Sequence, residues 1–286
     1  MMEKQMELRE QVRKLGLALL VYWVLLHAEV LLLPDASGWG YLLALGLSFF
    51  CYTRWKTPAE FQQMLREKEK TMTFFRFLGL LCLVIGSQLV AQISDLGLHL
   101  LSNALDRPVT DLVGQIPVDT LEPAMFLYAC ILGPVAEELL FRGIVLRTLA
   151  PFGRKLAIVV SALLFGLFHG NLLQMPYAFV LGLVLGYSAL QYRLVWPMLL
   201  HVGNNFLFVC LLPRLLAGLP ADTHVFWTWT LILVTAYLGA CLLASKAVAI
   251  RDWLRENAIA PGQLRTILTT GTILAFLILA IVNIIF

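Results

Sequence analysis

The chain has 286 residues, of which 60% are hydrophobic and only 14% are charged, and its formal net charge is +3. About a quarter of the residues of a soluble globular domain are charged, so this composition excludes an ordinary soluble protein. It predicts an all-α fold, a polytopic transmembrane helix bundle, and the small net charge gives no reason to expect nucleic acid as a partner.

Nine apolar stretches predict membrane-spanning helices, because a helix needs roughly 20 apolar residues to cross a bilayer. Two of them, 38–52 and 156–170, are short, so eight spans is the alternative to nine. No segment between them is long enough for a separate domain, which predicts one integral membrane domain over 1–286. The stretches are 15–33, 38–52, 74–96, 121–145, 156–170, 174–191, 195–213, 224–245 and 266–286.

The distribution of lysine and arginine predicts the orientation. With nine spans and a cytoplasmic amino terminus, only Arg107 and Arg214 fall in outer loops. Arg76 is counted with the inner residues, because it lies at the inner end of the span 74–96, and Arg142 alone is left deep within a span. Such an excess of basic residues on one side is typical of cytoplasmic loops. We expect an integral membrane protein with its amino terminus in the cytoplasm, in a bacterial plasma membrane.

The inner loop 53–73 carries the signals of a helix start. Thr57, Pro58 and Glu60 fit an N-cap, a first-turn proline and a capping-box acid. The apolar residues that follow share one face, opposite the basic ones, which predicts an interfacial helix on the cytoplasmic leaflet. A solvated linker is the alternative.

The first chemical motif lies in the predicted span 121–145. Gly133 and Pro134 predict a kink, because proline removes a backbone hydrogen bond. Glu138 and Arg142 are four residues apart and can form an ion pair on one helix face. Glu137 points about 100° away, so it is free to act as a general base. The alternative is a structural ion pair near the end of a span.

Two further motifs place polar side chains in apolar helices. His169 follows Phe165 by one turn, and His201 and Asn205 are four residues apart on one face. Polar groups within a membrane need partners, so His201 and Asn205 could stabilise an oxyanion or could hold helices together. A lone histidine near a helix end, such as His169, is otherwise an ordinary interfacial residue. Counting from the predicted inner boundaries places the motifs between the inner interface and the middle of the bilayer, facing a cytoplasmic cavity.

The ordered set Glu-Glu-x-x-x-Arg, Phe-x-x-x-His and His-x-x-x-Asn resembles the CAAX prenyl endopeptidase type II family, also called the CPBP (CAAX protease and bacteriocin-processing) intramembrane proteases. The resemblance covers residues 121–213, which form the protease-like core. It implies that Glu137 and His169 activate water. It also implies that His201 and Asn205 stabilise the oxyanion.

The resemblance implies further that Glu138 and Arg142 orient the site. Family members act on prenylated proteins, small peptides or membrane-anchored substrates, so a peptide or lipid-anchored protein is the expected partner. The family has carried a metalloprotease label, and Glu137, His169 and His201 could form a Zn2+ site. We favour no metal and no other cofactor, because the chain lacks the H-E-x-x-H pattern.

The sequence therefore predicts an intramembrane endopeptidase that cleaves near the cytoplasmic interface. A non-catalytic membrane scaffold or a bacteriocin-immunity protein would keep the same residues as packing groups. A transporter is a third possibility, since intramembrane acids and histidines are typical of ion pathways. A transporter would usually show inverted repeats with broken helices in both halves of the chain. This sequence has only one cluster of intramembrane acids and histidines.

Overall fold

In the computed structural model, residues 2–32, 38–53, 58–106, 108 and 122–285 are described, and every element in these ranges is helical. The first half of the chain forms α1 (Met2–Leu32), α2 (Gly38–Thr53), α3 (Pro58–Arg66), α4 (Phe74–Leu105) and α5 (Pro123–Phe152). The second half forms α6 (Arg154–Phe168), α7 (Gln174–Gln191), α8 (Val195–Leu216), α9 (Ala221–Ser245), α10 (Ala247–Glu256), α11 (Gln263–Leu268) and α12 (Gly271–Ile285).

Four helices are long and apolar enough to cross a membrane: α4, α5, α8 and α9. Residues Gly38–Phe50 and Gly271–Ile284 are shorter apolar helices. These helices agree with the predicted helical membrane protein, while the count of eight or nine spans stays a prediction. In α9 only Ile232, Thr235 and Gly239 are buried, as expected of a helix that faces lipid on most of its surface.

The core of the bundle is formed by α5, α6, α7 and α8, with α1 and α12 packed on one side of it. Close approach of α6 and α7 depends on small residues, since a Cβ at Gly182 would lie 3.0 Å from the Cα of Ala162. The lack of a side chain at Gly182 therefore allows this close packing. On α5 and α6, the Ser161 hydroxyl donates to the Phe141 carbonyl at 2.7 Å.

The main helix of the site, α5, is longer than the predicted span 121–145 and is not a regular α-helix. It contains π-helical segments at Tyr128–Leu132 and Leu139–Leu146 and ends in a 3-10 turn at Phe152. Because the helix continues past 145, Glu137 lies about halfway along it. The depth of Glu137 in the membrane stays a prediction.

The segment predicted to be an inner loop, 53–73, is helical only in part of its described residues. Helix α3 covers Pro58–Arg66, and residues 67–73 continue without helix, while Thr57 lies outside the described residues. The backbone N–H groups of Glu69 and Lys70 donate to the Gln191 carbonyl at the end of α7, at 3.1 and 2.8 Å. We call residues 67–73 the strap, because they cross the ends of α5, α6 and α7.

Candidate active site

A buried ion pair lies at the centre of the bundle, as the spacing of Glu138 and Arg142 predicts. The Arg142 Nη1 and Glu138 Oε1 atoms are 3.0 Å apart, and both side chains are fully buried. None of the guanidinium nitrogens is aligned for a hydrogen bond with a described residue, so the contact is chiefly electrostatic. Removing either partner would leave an unpaired charge in an apolar interior, which is costly.

His201 links α8 to both glutamates of α5. Its Nδ1 lies 3.0 Å from Glu138 Oε1, and its Nε2 lies 3.8 Å from Glu137 Oε2. Since an ionised carboxylate only accepts hydrogen bonds, the proton on Nδ1 is donated to Glu138. This bond fixes the orientation of the imidazole and directs Nε2 towards Glu137.

The two adjacent glutamates are in different surroundings. The Glu138 carboxylate is bonded and fully buried, whereas the Glu137 side chain is 15% exposed and has its closest charged neighbour at 3.8 Å. At that separation no direct hydrogen bond joins Glu137 to His201. The sequence-based expectation that one acid is held by arginine while the other stays free agrees with this geometry.

Phe165 is the aromatic residue around which the site is packed. It is fully buried, and the Arg142 guanidinium carbon lies 4.2 Å from its ring centroid, within cation–π distance. The rings of His169 and His201 both meet the Phe165 ring edge-to-face, at centroid distances of 4.8 and 5.7 Å. Phe165 therefore positions both histidines and the arginine, a role that the sequence analysis did not assign.

His169 lies at the end of α6, where the chain turns into α7. Its Nδ1 is 2.8 Å from the Phe165 carbonyl, which can only accept, so Nδ1 carries the proton and Nε2 is left free. Glu137, His201 and Arg142 are all close enough to interact electrostatically with His169. Asn171 Nδ2 donates to the His169 carbonyl at 3.2 Å and so holds the turn.

Asn205 supplies a hydrogen bond that the backbone of α5 lacks. In the π-helical register the Gly133 N–H donates to the Tyr128 carbonyl, five residues back. The next donor, for the Ala129 carbonyl, would be Pro134, which has no N–H. Asn205 Nδ2 donates to that carbonyl at 3.0 Å instead. Asn205 thus supplies the hydrogen bond that Pro134 cannot provide, while the kink and the oxyanion role stay predictions.

The neighbouring Asn204 is more than a packing residue. It is 2% exposed, and its Nδ2 donates to the Tyr177 hydroxyl at 2.7 Å and to Asn205 Oδ1 at 3.3 Å. Tyr177 was not predicted as a site residue, because no motif or spacing marks it, and Asn204 was expected only to pack. A buried polar pair of adjacent asparagines was the signal present in the sequence.

The three residues considered for zinc do not form a ready metal site. Within the described residues, no group of three or more His, Cys, Asp or Glu side chains is placed to hold a metal ion. The Nδ1 atoms of His169 and His201 are engaged by Phe165 and Glu138, which leaves one ring nitrogen on each. No step of the reaction proposed below passes through a metal.

Comparison with protein-family models matches residues 119–207 to the family described as type II CAAX prenyl endopeptidase, Rce1-like. The family resemblance is confirmed over this segment. No curated protein and no solved structure matches the chain.

The segment that matches the CAAX endopeptidase family covers less than half of the chain, but it contains all three motifs. Together with the four long apolar helices, the match indicates an integral membrane protein and, in general terms, a membrane protease of the CAAX type. Residues of the site neighbourhood that lie outside the matched segment, such as Gln88 and Asn283, come from α4 and α12.

Proposed function

We propose that the chain is an intramembrane endopeptidase that hydrolyses a peptide bond in a membrane-associated peptide or lipid-anchored protein. The observation that carries the proposal is the contrast between the two glutamates. Glu138 is fully buried against Arg142 and His201, whereas Glu137 is partly exposed and has no direct bond to His201. A carboxylate in that position is available to bind and deprotonate water.

In the proposed reaction, Glu137 accepts a proton from a water molecule that the free Nε2 of His169 also binds. The water oxygen forms a bond to the carbonyl carbon, and the carbonyl oxygen becomes an oxyanion. Collapse of this intermediate breaks the C–N bond, and Glu137 returns the proton to the leaving amine. The products are a carboxylic acid and an amine, which become a carboxylate and an ammonium group by exchange of a proton, and no co-reactant besides water is consumed.

His201 and Asn205 are the proposed oxyanion donors. When both nitrogens of His201 carry protons, Nδ1–H donates to Glu138 and Nε2–H is directed to the space beside Glu137. Asn205 contributes the N–H of its carboxamide that Ala129 does not use.

The test is cleavage of membrane-anchored reporter peptides, with and without a prenyl group, by purified protein. We expect Glu137→Gln to lower kcat by about 10²–10⁴-fold, the usual contribution of a general base, without loss of folding in micelles. Asp222→Asn, which changes an exposed carboxylate at the start of α9, is the control and should be fully active.

Adding a strong chelator to the wild-type protein separates the mechanisms. Unchanged activity supports the metal-free glutamate mechanism, while a loss that zinc restores would replace it by the metalloprotease. Full activity in Glu137→Gln would overturn the assignment of the base. A folded wild-type protein that cleaves none of the reporters would favour the scaffold or immunity function instead.

The proposed location is a bacterial plasma membrane with the amino terminus in the cytoplasm. Cysteine labelling from either side of sealed vesicles tests this, with single cysteines placed near the amino terminus and at position 219. Labelling of the amino-terminal cysteine from the outer side would reverse the orientation.

A further inference from the structure

A hydrogen-bond network next to the site joins three helices of the bundle. The Tyr177 hydroxyl on α7 accepts from Gln88 Nε2 on α4 at 3.0 Å and from Asn204 Nδ2 on α8 at 2.7 Å. Gln88 Nε2 also lies 3.4 Å from Asn204 Oδ1. None of these bonds is part of the reaction proposed above, yet three polar side chains have been brought together within an apolar bundle.

Asn204 is fully engaged by this network. Its Nδ2 donates to Tyr177 and to Asn205 Oδ1, and its Oδ1 accepts from Gln88. Because the side chain is 2% exposed, water cannot replace a lost partner, and the bonds persist only while all three helices are in place. The strongest of these bonds, by distance, is the one to the Tyr177 hydroxyl.

The network determines the direction of the Asn205 carboxamide. An amide group is planar, so two anchors are enough to fix it. Asn204 Nδ2 donates to Asn205 Oδ1 at 3.3 Å, and the Ala129 carbonyl accepts one N–H of Asn205 Nδ2 at 3.0 Å. A primary amide has two N–H donors, and the described residues offer no second partner to Nδ2. The remaining N–H therefore points in one defined direction.

We infer that Tyr177 and Asn204 are positioning residues, which aim the free N–H of Asn205 at the oxyanion. Gln88 supports them from α4. The inference rests on the proposed hydrolysis, since it assigns a preorganising role within that reaction. An oxyanion donor contributes only if it is already oriented when the negative charge forms. Tyr177 acts through Asn204 and Asn205 and is not itself a donor to the substrate.

The first test removes a single oxygen atom. Tyr177→Phe deletes the acceptor of Asn204 and Gln88 without changing the ring. We expect kcat to fall about tenfold, equivalent to about 1.4 kcal/mol of transition-state stabilisation, with KM changed less than twofold. Tyr187→Phe, on the same helix but 41% exposed, is the matched control and should behave as wild type.

The second test is a double-mutant cycle with Asn205→Ala. If Tyr177 acts through Asn205, Tyr177→Phe should cost nothing further once the Asn205 carboxamide is absent. An equal loss in both backgrounds would overturn the inference and leave Tyr177 a purely structural residue. Loss of activity through KM alone would overturn it as well.

The same cycle measured on the unfolding midpoint in micelles does not depend on activity. Coupling between Tyr177 and Asn205 in the unfolding midpoint supports the network, whether or not a reporter is cleaved. If this coupling is present but no reporter is cleaved, the network stands and the proposed function fails. Absence of coupling in both unfolding and turnover overturns the positioning role.

Discussion

Glu137 and Glu138 are neighbours in the chain, but α5 turns their side chains in different directions. Glu138 meets Arg142 one turn further along the same face and is fully buried, whereas Glu137 faces a space that His201 borders at 3.8 Å. Two identical residues thereby acquire different roles. Glu137, the proposed base, is partly exposed, while Glu138 forms the buried ion pair.

The different surroundings of Glu137 and Glu138 predict different effects for the same Glu-to-Gln substitution at the two positions. Glu138→Gln should lower the free energy of unfolding by about 3–5 kcal/mol, because Arg142 keeps a buried charge without a counter-charge. Replacing both residues, as Glu138→Leu with Arg142→Met, should recover most of that stability, since the buried ion pair is then removed as a whole. Activity should be lost in both variants, because His201 loses the carboxylate that orients it.

Equilibrium unfolding in mixed micelles measures these differences, with Glu137→Gln as the control of equal size and charge change. A double variant no more stable than Glu138→Gln would show that charge burial is not the cause of the loss.

At the scale of the element, the π-helical turn of α5 has a functional consequence. It leaves the Ala129 carbonyl without a backbone donor, since position 134 is a proline, and Asn205 supplies the missing bond. Such π-helical turns are frequent at functional sites because they expose backbone groups that an α-helix would use internally. Here the exposed group is the Ala129 carbonyl, which anchors Asn205, the proposed oxyanion donor.

Pro134→Ala should therefore lower activity without lowering stability. Alanine restores an N–H that can bond within α5, so the Ala129 carbonyl no longer depends on Asn205 and the carboxamide loses one anchor. We expect kcat to fall about tenfold while the unfolding midpoint stays the same or rises. Pro151→Ala, in the 3-10 turn at the end of the same helix, is the control. Full activity in Pro134→Ala would contradict the anchoring role of Ala129.

At the scale of the whole molecule, the strap ties α3 to the ends of α5, α6 and α7. Glu67 pairs with Arg147, and Glu69 pairs with Arg154, whose Nη2 lies 3.0 Å from Glu69 Oε2. Gln191 Nε2 also donates to Glu69 at 3.2 Å. These contacts border a cavity of about 480 Å³ at this end of the bundle.

The strap predicts a pH dependence of stability. The Arg154 hydrogen bond holds the pKa of Glu69 below its usual value, so the ionised carboxylate stabilises the folded state. This contribution is complete above the ordinary pKa of glutamate, about 4.3, and is lost as the pH falls through the lowered pKa. It should be small, because the Glu69 side chain is 46% exposed.

The measurement is the unfolding midpoint of wild type and Glu69→Gln between pH 6 and pH 3. Glu69→Gln should lose less stability than wild type on acidification, whereas the exposed control Glu256→Gln should follow wild type. If the unfolding midpoints of wild type and Glu69→Gln fall in parallel as the pH is lowered, then the Glu69 carboxylate of the strap contributes nothing measurable to stability.

The sequence could predict contacts within a helix but not most contacts between helices. The pairing of Glu138 with Arg142 follows from a spacing of four residues, and the interrupted backbone bonding at Pro134 follows from its missing N–H. The bond from Glu138 to His201 crosses 63 positions and depends on how α5 and α8 pack. Tyr177 belongs to no motif, so only the folded bundle shows what it contacts.

Helix α12 lies outside the segment that matches the CAAX endopeptidase family, yet it reaches the turn that carries His169. Asn283 Nδ2 donates to the Gly170 carbonyl at 3.2 Å, and Gly170 has a positive φ of 65° that favours glycine. An asparagine in an otherwise apolar helix is expensive without a partner. This bond gives Asn283 a hydrogen-bond partner and links the turn after His169 to α12.

Asn283→Leu keeps the size of the side chain but removes the donor, so the turn should become more mobile and His169 less well oriented. We expect a several-fold lower kcat, an unchanged KM and faster hydrogen exchange at residues 169–173. Ile281→Leu, an exposed apolar replacement on the same helix, is the control for general effects on α12. If Asn283→Leu matches this control in both turnover and hydrogen exchange, then the segment that matches the family orients His169 without help from α12. Helix α12 would then serve only to cover the bundle.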